Sequence, residues 1–385
     1  MTQISPAPAL QPLARLIAFY LPQFHSIPEN DEWWGKGFTE WTHVAKAKPL
    51  FRGHHQPNLP ADLGFYDLRV PETRVAQAEL ARTYGLEGFM YWHYWFGNGR
   101  RILERPFNEV LASGEPDFPF CLGWANATWT GIWYGTPNRI LIEQTYPGLR
   151  DYQDHFRAVL KAFTDHRYIQ IDGKPVFFVF RPHELPEPKR FTDCWRELAV
   201  KAGLQGMYFV GIPSEIWETW DPKNHGFDAS ALNNLFPAFL EVDRIPNNSL
   251  NSICRRLTGK PIKQIYRDIL ERPKIYSYEK AVQTAVSSLS DKFMQFPGVV
   301  PNWDNTPRSG INGIVLHNST PKLFRAHLRQ AIQQVAHRDY DKRVVVVKSW
   351  NEWAEGNYLE PDQRFGTAYL DVIKEEVFFS SDNRA

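Results

Sequence analysis

Two glutamates near the C-terminal end of the chain have the type and spacing that acid–base chemistry requires. Glu352 and Glu355 lie within the stretch KSWNEWAEG, residues 348–356. Indoles beside them lower the local dielectric, which raises a carboxyl pKa and favours one acid that stays protonated next to an ionised partner. An arbitrary Glu-x-x-Glu is more often a pair of solvated loop acids or a helix cap. Here the flanking tryptophans favour the catalytic interpretation.

A run of four valines, Val344 to Val347, precedes these glutamates. A continuous β-branched run is typical of a strand buried on both faces, as in a parallel sheet covered by helices. Barrel enzymes hold their catalytic residues just past the carboxyl ends of such strands. The sequence therefore places the two glutamates where a barrel has its active site.

The rest of the chain alternates between strand-like and helix-like segments. The predicted strands are 15–20, 88–92, 118–124, 176–180, 207–212, 227–232, 293–300 and 343–349, and the predicted helices include 71–84, 150–164, 189–202, 278–289 and 321–337. Eight strands in alternation with helices predict an α/β fold, a single (β/α)8 TIM barrel, in preference to two separate domains.

The domain prediction is one barrel over residues 15–385, after a Pro/Ala-rich tail at 1–14 that we expect to be disordered. Three connections, at about 21–70, 125–149 and 233–276, are long enough to be functional loop insertions. The first two are rich in Trp, Gly and polar residues and are expected to wall a cleft. The third, with several Lys and Arg, is predicted to be a partial helix or a lid.

The predicted strand ends bring polar and aromatic side chains to one end of the barrel. These residues are Tyr20, Gln23, His25, Tyr91, Trp92, His93, Tyr94, Trp95, Trp124, Asn126, Arg181, Trp303, Asp304 and Asn351. We expect all of them except Trp92, Tyr94 and Arg181 to bind substrate. For a single aromatic the alternative is that it plugs the barrel end, and for His93 the alternative is a buried ring bonded to a backbone carbonyl.

Composition narrows the class of ligand. The net charge is +1, which gives no field that recruits nucleic acid or a membrane surface. Aromatic residues make up 15% of the chain, with 14 Trp, and many stand among polar residues. Sugars present both apolar faces and hydroxyls, so this mixture favours an oligo- or polysaccharide substrate.

Other sites are not predicted. Cys121, Cys194 and Cys254 are widely spaced, which argues against a disulfide framework and a zinc site. The adjacent pair His54 and His55 lacks the spacing of metal ligands on one helix face. No nucleotide or phosphate fingerprint is present, so no cofactor is expected. No signal peptide or membrane span is visible, and we expect a cytoplasmic protein.

Six motifs give the sequence a resemblance to the WbsX-type proteins of bacterial polysaccharide loci, relatives of the family 99 endo-α-mannosidases. They are FYLPQFH at 19–25, WWGKGFTEW at 33–41, YWF at 94–96, WAN at 124–126, WDNT at 303–306 and NEWAEG at 351–356. The resemblance runs from about residue 15 to 369. It adds Trp41 to the expected substrate-binding residues.

The resemblance implies a (β/α)8 barrel and retaining hydrolysis of α-mannosides or α-rhamnosides in a bacterial polysaccharide such as O-antigen. Glu352 would deprotonate the sugar's 2-hydroxyl to give a 1,2-anhydro intermediate, and Glu355 would protonate the leaving oxygen and later activate water. The sequence departs from the relatives in two places: Ala354 replaces a His of the last motif, and Ala127 stands where WbsX proteins have Glu in Asn-Glu-Asn-Trp. Both departures bear on which sugar is accepted.

Two other functions remain open at this stage. A glycosyltransferase would need a diphosphate site, of which the sequence shows no sign. A non-catalytic carbohydrate-binding barrel would need aromatic platforms but no acid–base pair, and both glutamates are present.

Overall fold

The computed structural model describes residues 11–131, 136–213, 220–231, 256, 271–285, 289–290 and 292–378. Parallel strands form its centre. In chain order they are β1 (Arg15–Tyr20), β2 (Gly88–His93), β3 (Phe120–Trp124), β4 (Lys174–Val179), β5 (Tyr208–Gly211), β6 (Ala229–Ala231), β7 (Gln295–Phe296), β8 (Gly298–Val299) and β9 (Val344–Val347). Neighbours in the sheet follow the order β7-β6-β5-β4-β3-β2-β1-β9-β8.

Two short strands close the barrel on either side of a proline. β7 pairs with β6, where Gln295 lies opposite Ser230, and β8 pairs with β9, where Gly298 lies opposite Val346. Pro297 between them has no N–H to give to a ladder, which interrupts the strand there. With β7 and β8 counted as one interrupted strand, the ring has eight members, and the predicted (β/α)8 barrel is confirmed.

Helices connect the strands, and most of them cover the outside of this ring. They are α1 (Pro28–Trp34), α2 (Glu40–Lys46), α3 (Pro71–Thr83), α4 (Arg105–Ser113), α5 (Leu149–Phe163), α6 (Pro188–Lys201), α7 (Tyr278–Ala285), α8 (Thr306–Ser309), α9 (Pro321–Val335) and α10 (Ala368–Phe378). The apolar stripe of α5, with Tyr152, Phe156 and Phe163 buried, shows the usual reason: one face of the helix packs against its neighbours.

Most of the elements predicted from sequence are present with shifted ends. The five predicted helices correspond to α3, α5, α6, α7 and α9, and the weakest predicted strand, 227–232, is the three-residue β6. The first long connection also contains α1 and α2, which were not predicted. Most of the third, 233–276, lies outside the described residues.

Smaller strands lie outside the barrel. Trp129–Gly131 pairs with Thr136–Ile142, Lys274–Ser277 with Ile314–His317, Asn351–Glu352 with Asn357–Tyr358, and Gln170–Ile171 with β4. Within the described part of the chain, no helix has the length and apolar character needed to cross a membrane.

Candidate active site

The turn that carries the two glutamates follows the carboxyl end of β9. Glu352 ends a short strand, and Trp353–Glu355 form a 3-10 turn that closes at Gly356. Gly356 has φ 60°, and a Cβ there would lie 2.9 Å from Asp304, so only glycine fits. The Asp304 backbone N–H donates to the Glu355 carbonyl at 2.6 Å. The turn is therefore held closely against the loop that contains Asp304.

Arg308, on α8, contacts three carboxylates at this turn. Its Nη1 donates to Glu355 Oε1 at 2.7 Å, its Nη2 donates to Glu40 Oε2 at 2.9 Å, and the same Nη2 lies 3.4 Å from Glu352 Oε2. The Arg308 and Glu40 side chains are almost completely buried, at 4% and 0% exposure. Burial opposes the charge on Arg308, but the three carboxylates outweigh it and raise the pKa of the guanidinium.

Glu352 is the carboxyl whose protonation is most altered. Burial and the nearby Glu355 charge raise its pKa to about 8, against Arg308 and Lys348, which act in the opposite direction. A raised pKa favours the protonated form of Glu352 at neutral pH. The short guanidinium contact to Glu355 is of the charge-assisted kind that ionised carboxylates form.

Polar and aromatic groups from other strand ends stand beside the carboxylates. Gln23 Nε2 donates to the Tyr94 hydroxyl at 3.2 Å, and burial together with the Glu352 charge raises the pKa of that hydroxyl. The Lys348 ammonium lies 4.5 Å from the centre of the Trp303 ring. In the described part of the chain the buried Trp303 Nε1 has no hydrogen-bond acceptor. Gln23 and Trp303 are predicted site residues that lie at this mouth.

Other predicted substrate-binding residues lie on the helix-facing side of their strands. The Tyr20 hydroxyl donates to Gln77 of α3, and the Tyr91 ring packs against Phe107 of α4. Two residues contact α5: His93 Nε2 lies 2.8 Å from His155 Nε2, and Trp95 Nε1 donates to Asp151. Trp124 packs against Phe191 of α6. Burial lowers the pKa of His93 to about 3. The structure does not bring these five side chains to the carboxylates.

The reason is the alternation of side chains along a strand. On β2, Phe89, Tyr91 and His93 share one face and Trp92 lies on the other, against Phe19 and Phe180. Both faces carry aromatics, so their composition does not reveal which one lies inside the barrel. Trp92, which was not assigned to the site, is the side chain that points inward.

The remaining predicted residues hold loops together around the mouth. Asn351 exchanges two hydrogen bonds with the Leu21 backbone, and Asn126 does the same with Arg181. Trp41 packs 5.5 Å from Trp353. Asp304 accepts hydrogen bonds from His54, from Gln56 and from both the backbone N–H and the hydroxyl of Thr306. His25 is buried, and burial lowers its pKa to about 4.

Comparison with known proteins places the chain in a family. The sequence model described as "Glycosyltransferase WbsX" matches residues 16–373. The chain belongs to the WbsX family. The uncharacterized protein WxcX of Xanthomonas campestris pv. campestris, found in two strains, is 37% identical over 372 residues, which are 96% of this WbsX chain and 50% of WxcX. The chain thus spans half the length of these curated relatives.

Solved structures share the barrel of this WbsX protein. A glycoside hydrolase-like protein is 18% identical with a TM-score of 0.58, and the match covers 98% of both chains. The GH99 endo-alpha-mannosidase from Bacteroides thetaiotaomicron is 15% identical with a TM-score of 0.55, over 94% of this chain and 96% of that one. At these identities the likeness concerns the fold.

Sequence reasoning missed two residues of the candidate site, Arg308 and Glu40. Glu40 belongs to the WWGKGFTEW motif but received no role, and Arg308 stands just beyond WDNT. The charge balance could have indicated Arg308, because buried carboxylates require a cation nearby. Within the described ranges, no group of three or more His, Cys, Asp or Glu residues is arranged to hold a metal ion.

Proposed function

We propose that this protein is a retaining α-glycoside hydrolase that cleaves a manno-configured or 6-deoxy sugar, of the D-mannose or D-rhamnose type, in a bacterial polysaccharide. The observation that carries the proposal is the pair Glu352 and Glu355, on one turn at the barrel mouth, bridged by a buried arginine and differing in electrostatic environment. Membership of the WbsX family supports action on a carbohydrate, and so does the barrel shared with a glycoside hydrolase-like protein and a GH99 endo-alpha-mannosidase.

In this proposal the sugar's own 2-hydroxyl is the nucleophile. Glu352 takes the hydroxyl proton as O2 bonds to C1, and the C1–oxygen bond to the leaving group breaks as Glu355 gives that oxygen a proton. Water then gives a proton to Glu355 and attacks C1, the C1–O2 bond breaks, and O2 recovers its proton from Glu352. Two inversions at C1 return the original configuration, and the scheme needs one proton on the pair of carboxyls.

The protonation of the free enzyme differs from these roles. The raised pKa of Glu352 favours the proton on that carboxyl in the free enzyme, while Arg308 contacts Glu355. The proton must therefore pass from Glu352 to Glu355 when substrate binds, or the two roles are exchanged. Either way kcat/KM is expected to fall as the pH rises through about 8, where Glu352 loses the proton of the pair.

The first test is product release from a panel of α-D-mannosides, α-D-rhamnosides and bacterial O-polysaccharides. Proton magnetic resonance follows the anomer first formed, and we expect the α configuration to be retained. General acid–base catalysis is worth about 10²–10⁴-fold, so Glu355→Gln should lower turnover of an unactivated glycoside by that factor. Undiminished turnover by Glu355→Gln would remove this residue from the acid–base role.

Leaving-group dependence assigns the two roles. A glycoside with an activated aryl leaving group needs no protonation, so loss of the acid is tolerated there but loss of the base is not. If Glu355 is the acid, Glu355→Gln keeps most of the rate of the first step, measured as aryl-group release in the first turnover, and Glu352→Gln does not. The opposite pattern exchanges the roles and leaves the hydrolase proposal standing.

A glycosyltransferase is the second candidate, because that word stands in the family description. Calorimetric titration with nucleotide sugars distinguishes it. Saturable binding of a nucleotide sugar without hydrolysis of any panel member would favour the transferase, and glycan binding without turnover would favour a binding module.

A further inference from the structure

A third glutamate, Glu360, lies behind the catalytic pair and takes no part in the proposed reaction. Its carboxylate is buried, with the residue 2% exposed. Oε2 accepts from Trp353 Nε1 at 2.6 Å and from the Tyr66 hydroxyl at 2.9 Å, and Oε1 accepts from Gln77 Nε2 at 2.6 Å. Three neutral donors therefore converge on one buried carboxylate.

The donors are fixed in that role by their other partners. Gln77 uses its amide oxygen to accept from the Tyr20 hydroxyl, so its N–H₂ group faces Glu360. Asn351 Nδ2 donates to the Tyr66 oxygen at 3.3 Å, so the Tyr66 proton is directed to Glu360. The network thus presents donors alone to Glu360, which is the environment of an acceptor-only carboxylate.

Glu360 has no cationic partner, unlike the three carboxylates around Arg308. Among the residues that the structure describes, no Lys, Arg or His forms an ion pair with it. Burial raises its pKa to about 7, against the hydrogen bonds from Trp353, Gln77 and Tyr66. A buried carboxylate without a cation costs stability relative to a neutral side chain. Stability alone therefore does not account for a glutamate here.

The side chains that Glu360 contacts, directly or through Tyr66, lie on both sides of Glu352 in the chain. Trp353 separates Glu352 from Glu355 in the chain, and its ring is stacked 3.8 Å from Tyr358 and packs against Trp41. Through Tyr66, Glu360 also reaches Asn351, which is bonded to the Leu21 backbone after β1. The side chains before and after Glu352 are thus fixed by one carboxylate.

We propose that Glu360 is a positioning residue, which rests on the proposed function: through Trp353 and through Tyr66 and Asn351 it sets where Glu352 and Glu355 stand at the barrel mouth. Loss of a group that orients a reacting side chain typically costs about 10-fold to 100-fold in activity. The effect is expected in kcat, with little change in KM, because Glu360 does not contact the substrate.

The test compares Glu360→Leu with Glu360→Gln. Leucine removes all three acceptor contacts, and kcat should fall by about 10-fold to 100-fold. Glutamine still accepts from Trp353 and Tyr66 through its oxygen. Its N–H₂ group meets the Gln77 amide, which must turn and give up the hydrogen bond from Tyr20, so kcat should return most of the way to the wild-type value. A Glu360→Leu variant with the kcat of the wild type overturns the proposal.

A second readout needs no substrate. The Trp353 indole N–H resonance, assigned by its loss in Trp353→Phe, should shift strongly upfield in Glu360→Leu and little in Glu360→Gln. An unmoved resonance overturns the proposal, whether or not any glycan is hydrolysed. If the wild type hydrolyses nothing while the resonance moves, the proposed function fails and the hold of Glu360 on Trp353 stands.

Two variants control for folding. Tyr66→Phe removes one donor and keeps the ring, so a smaller loss of kcat is expected. This variant tests the proposal if Glu360→Leu fails to fold. Glu376, buried between α9 and α10 and paired with Arg325 and Arg329, is the matched carboxylate away from the site. Glu376→Leu should lower stability and leave kcat unchanged; an equal loss of kcat there would show that Glu360→Leu acts through general destabilisation.

Discussion

Both ends of the barrel gather carboxylates around one arginine, but water reaches only one of the two clusters well. At the N-terminal end of β1, Arg15 pairs with Glu87 at 2.6 Å and with Asp341 at 2.7 Å, and those carboxylates are 24% and 45% exposed. At the mouth, Arg308 contacts Glu40, Glu352 and Glu355, whose side chains are 0%, 9% and 19% exposed.

The difference in exposure decides what the excess negative charge does. Water screens the charges of exposed carboxylates, so Glu87 and Asp341 repel each other little beside one arginine. Around Arg308 the charge is not screened, and burial with the neighbouring carboxylates raises the pKa of Glu352 to about 8. A buried excess of carboxylates is a pattern typical of acid–base sites, and stability alone does not favour it.

Replacing Arg308 by methionine should cause the largest loss of stability at either cluster. The buried carboxylates of Glu40 and Glu352 and the partly buried carboxylate of Glu355 would lose their cation. Loss of one partner of a buried ion pair typically costs about 3–5 kcal/mol. Without the guanidinium the carboxyl pKa values rise, so the folded protein takes up protons and the destabilisation is smaller at pH 5 than at pH 8. Activity is expected to fall as well, because Glu355 loses the hydrogen bond from Arg308 that holds its side chain.

Urea denaturation at pH 5 and pH 8 measures this effect. Arg308→Lys is the matched control, since it keeps the charge and loses the planar fork, and it should be intermediate. An Arg308→Met variant as stable as the wild type at pH 8 would contradict the view that this arginine neutralises the mouth.

The pH dependence of stability sharpens the comparison at Glu352. Because the folded-state pKa is raised from 4.5 to about 8, the folded protein holds a proton that the unfolded chain releases. The stabilisation from Glu352 is fully present below about pH 4.5 and is lost as the pH rises to about 8, on the order of a few kcal/mol. Glu352→Gln should therefore become more stable relative to the wild type as the pH rises.

The measurement is the difference in free energy of unfolding between wild type and variant from pH 5 to pH 9. Glu87→Gln, at the exposed end, is the control and should not show a gain of stability with pH. A flat difference curve for Glu352→Gln would mean that Glu352 is ionised in the folded protein at neutral pH.

The sequence predicted the barrel and the position of Glu352 and Glu355 at its mouth because both depend on local patterns. The valine run of β9 and the motif after it are continuous in the chain, and so are the apolar stripes of α5 and α9. Pro297 also explains why one predicted strand is two short pieces.

The sequence did not predict in which direction side chains point from a strand, or which residues far apart in the chain form pairs. Tyr20 and Tyr91 lie at strand ends as expected, but they face helices, and no periodic pattern distinguishes the two aromatic faces of β2. Glu40 and Arg308 meet across 268 residues, so only the folded barrel shows that they form one ion pair. The residues that carry the charge balance of the site were therefore the ones missed.

The smallest effect is expected at the exposed cluster. In Arg15→Met the apolar stem is kept and the hydrogen bonds to Glu87, Asp341 and the Gln170 carbonyl are lost. Water can solvate the freed carboxylates, so we expect a loss of about 1–2 kcal/mol with kcat unchanged. Thermal unfolding and a rate measurement on the same preparation check both parts. If Arg15→Met lost as much stability as Arg308→Met, exposure to water would not be what separates the two clusters, and the raised pKa of Glu352 would need a cause other than burial.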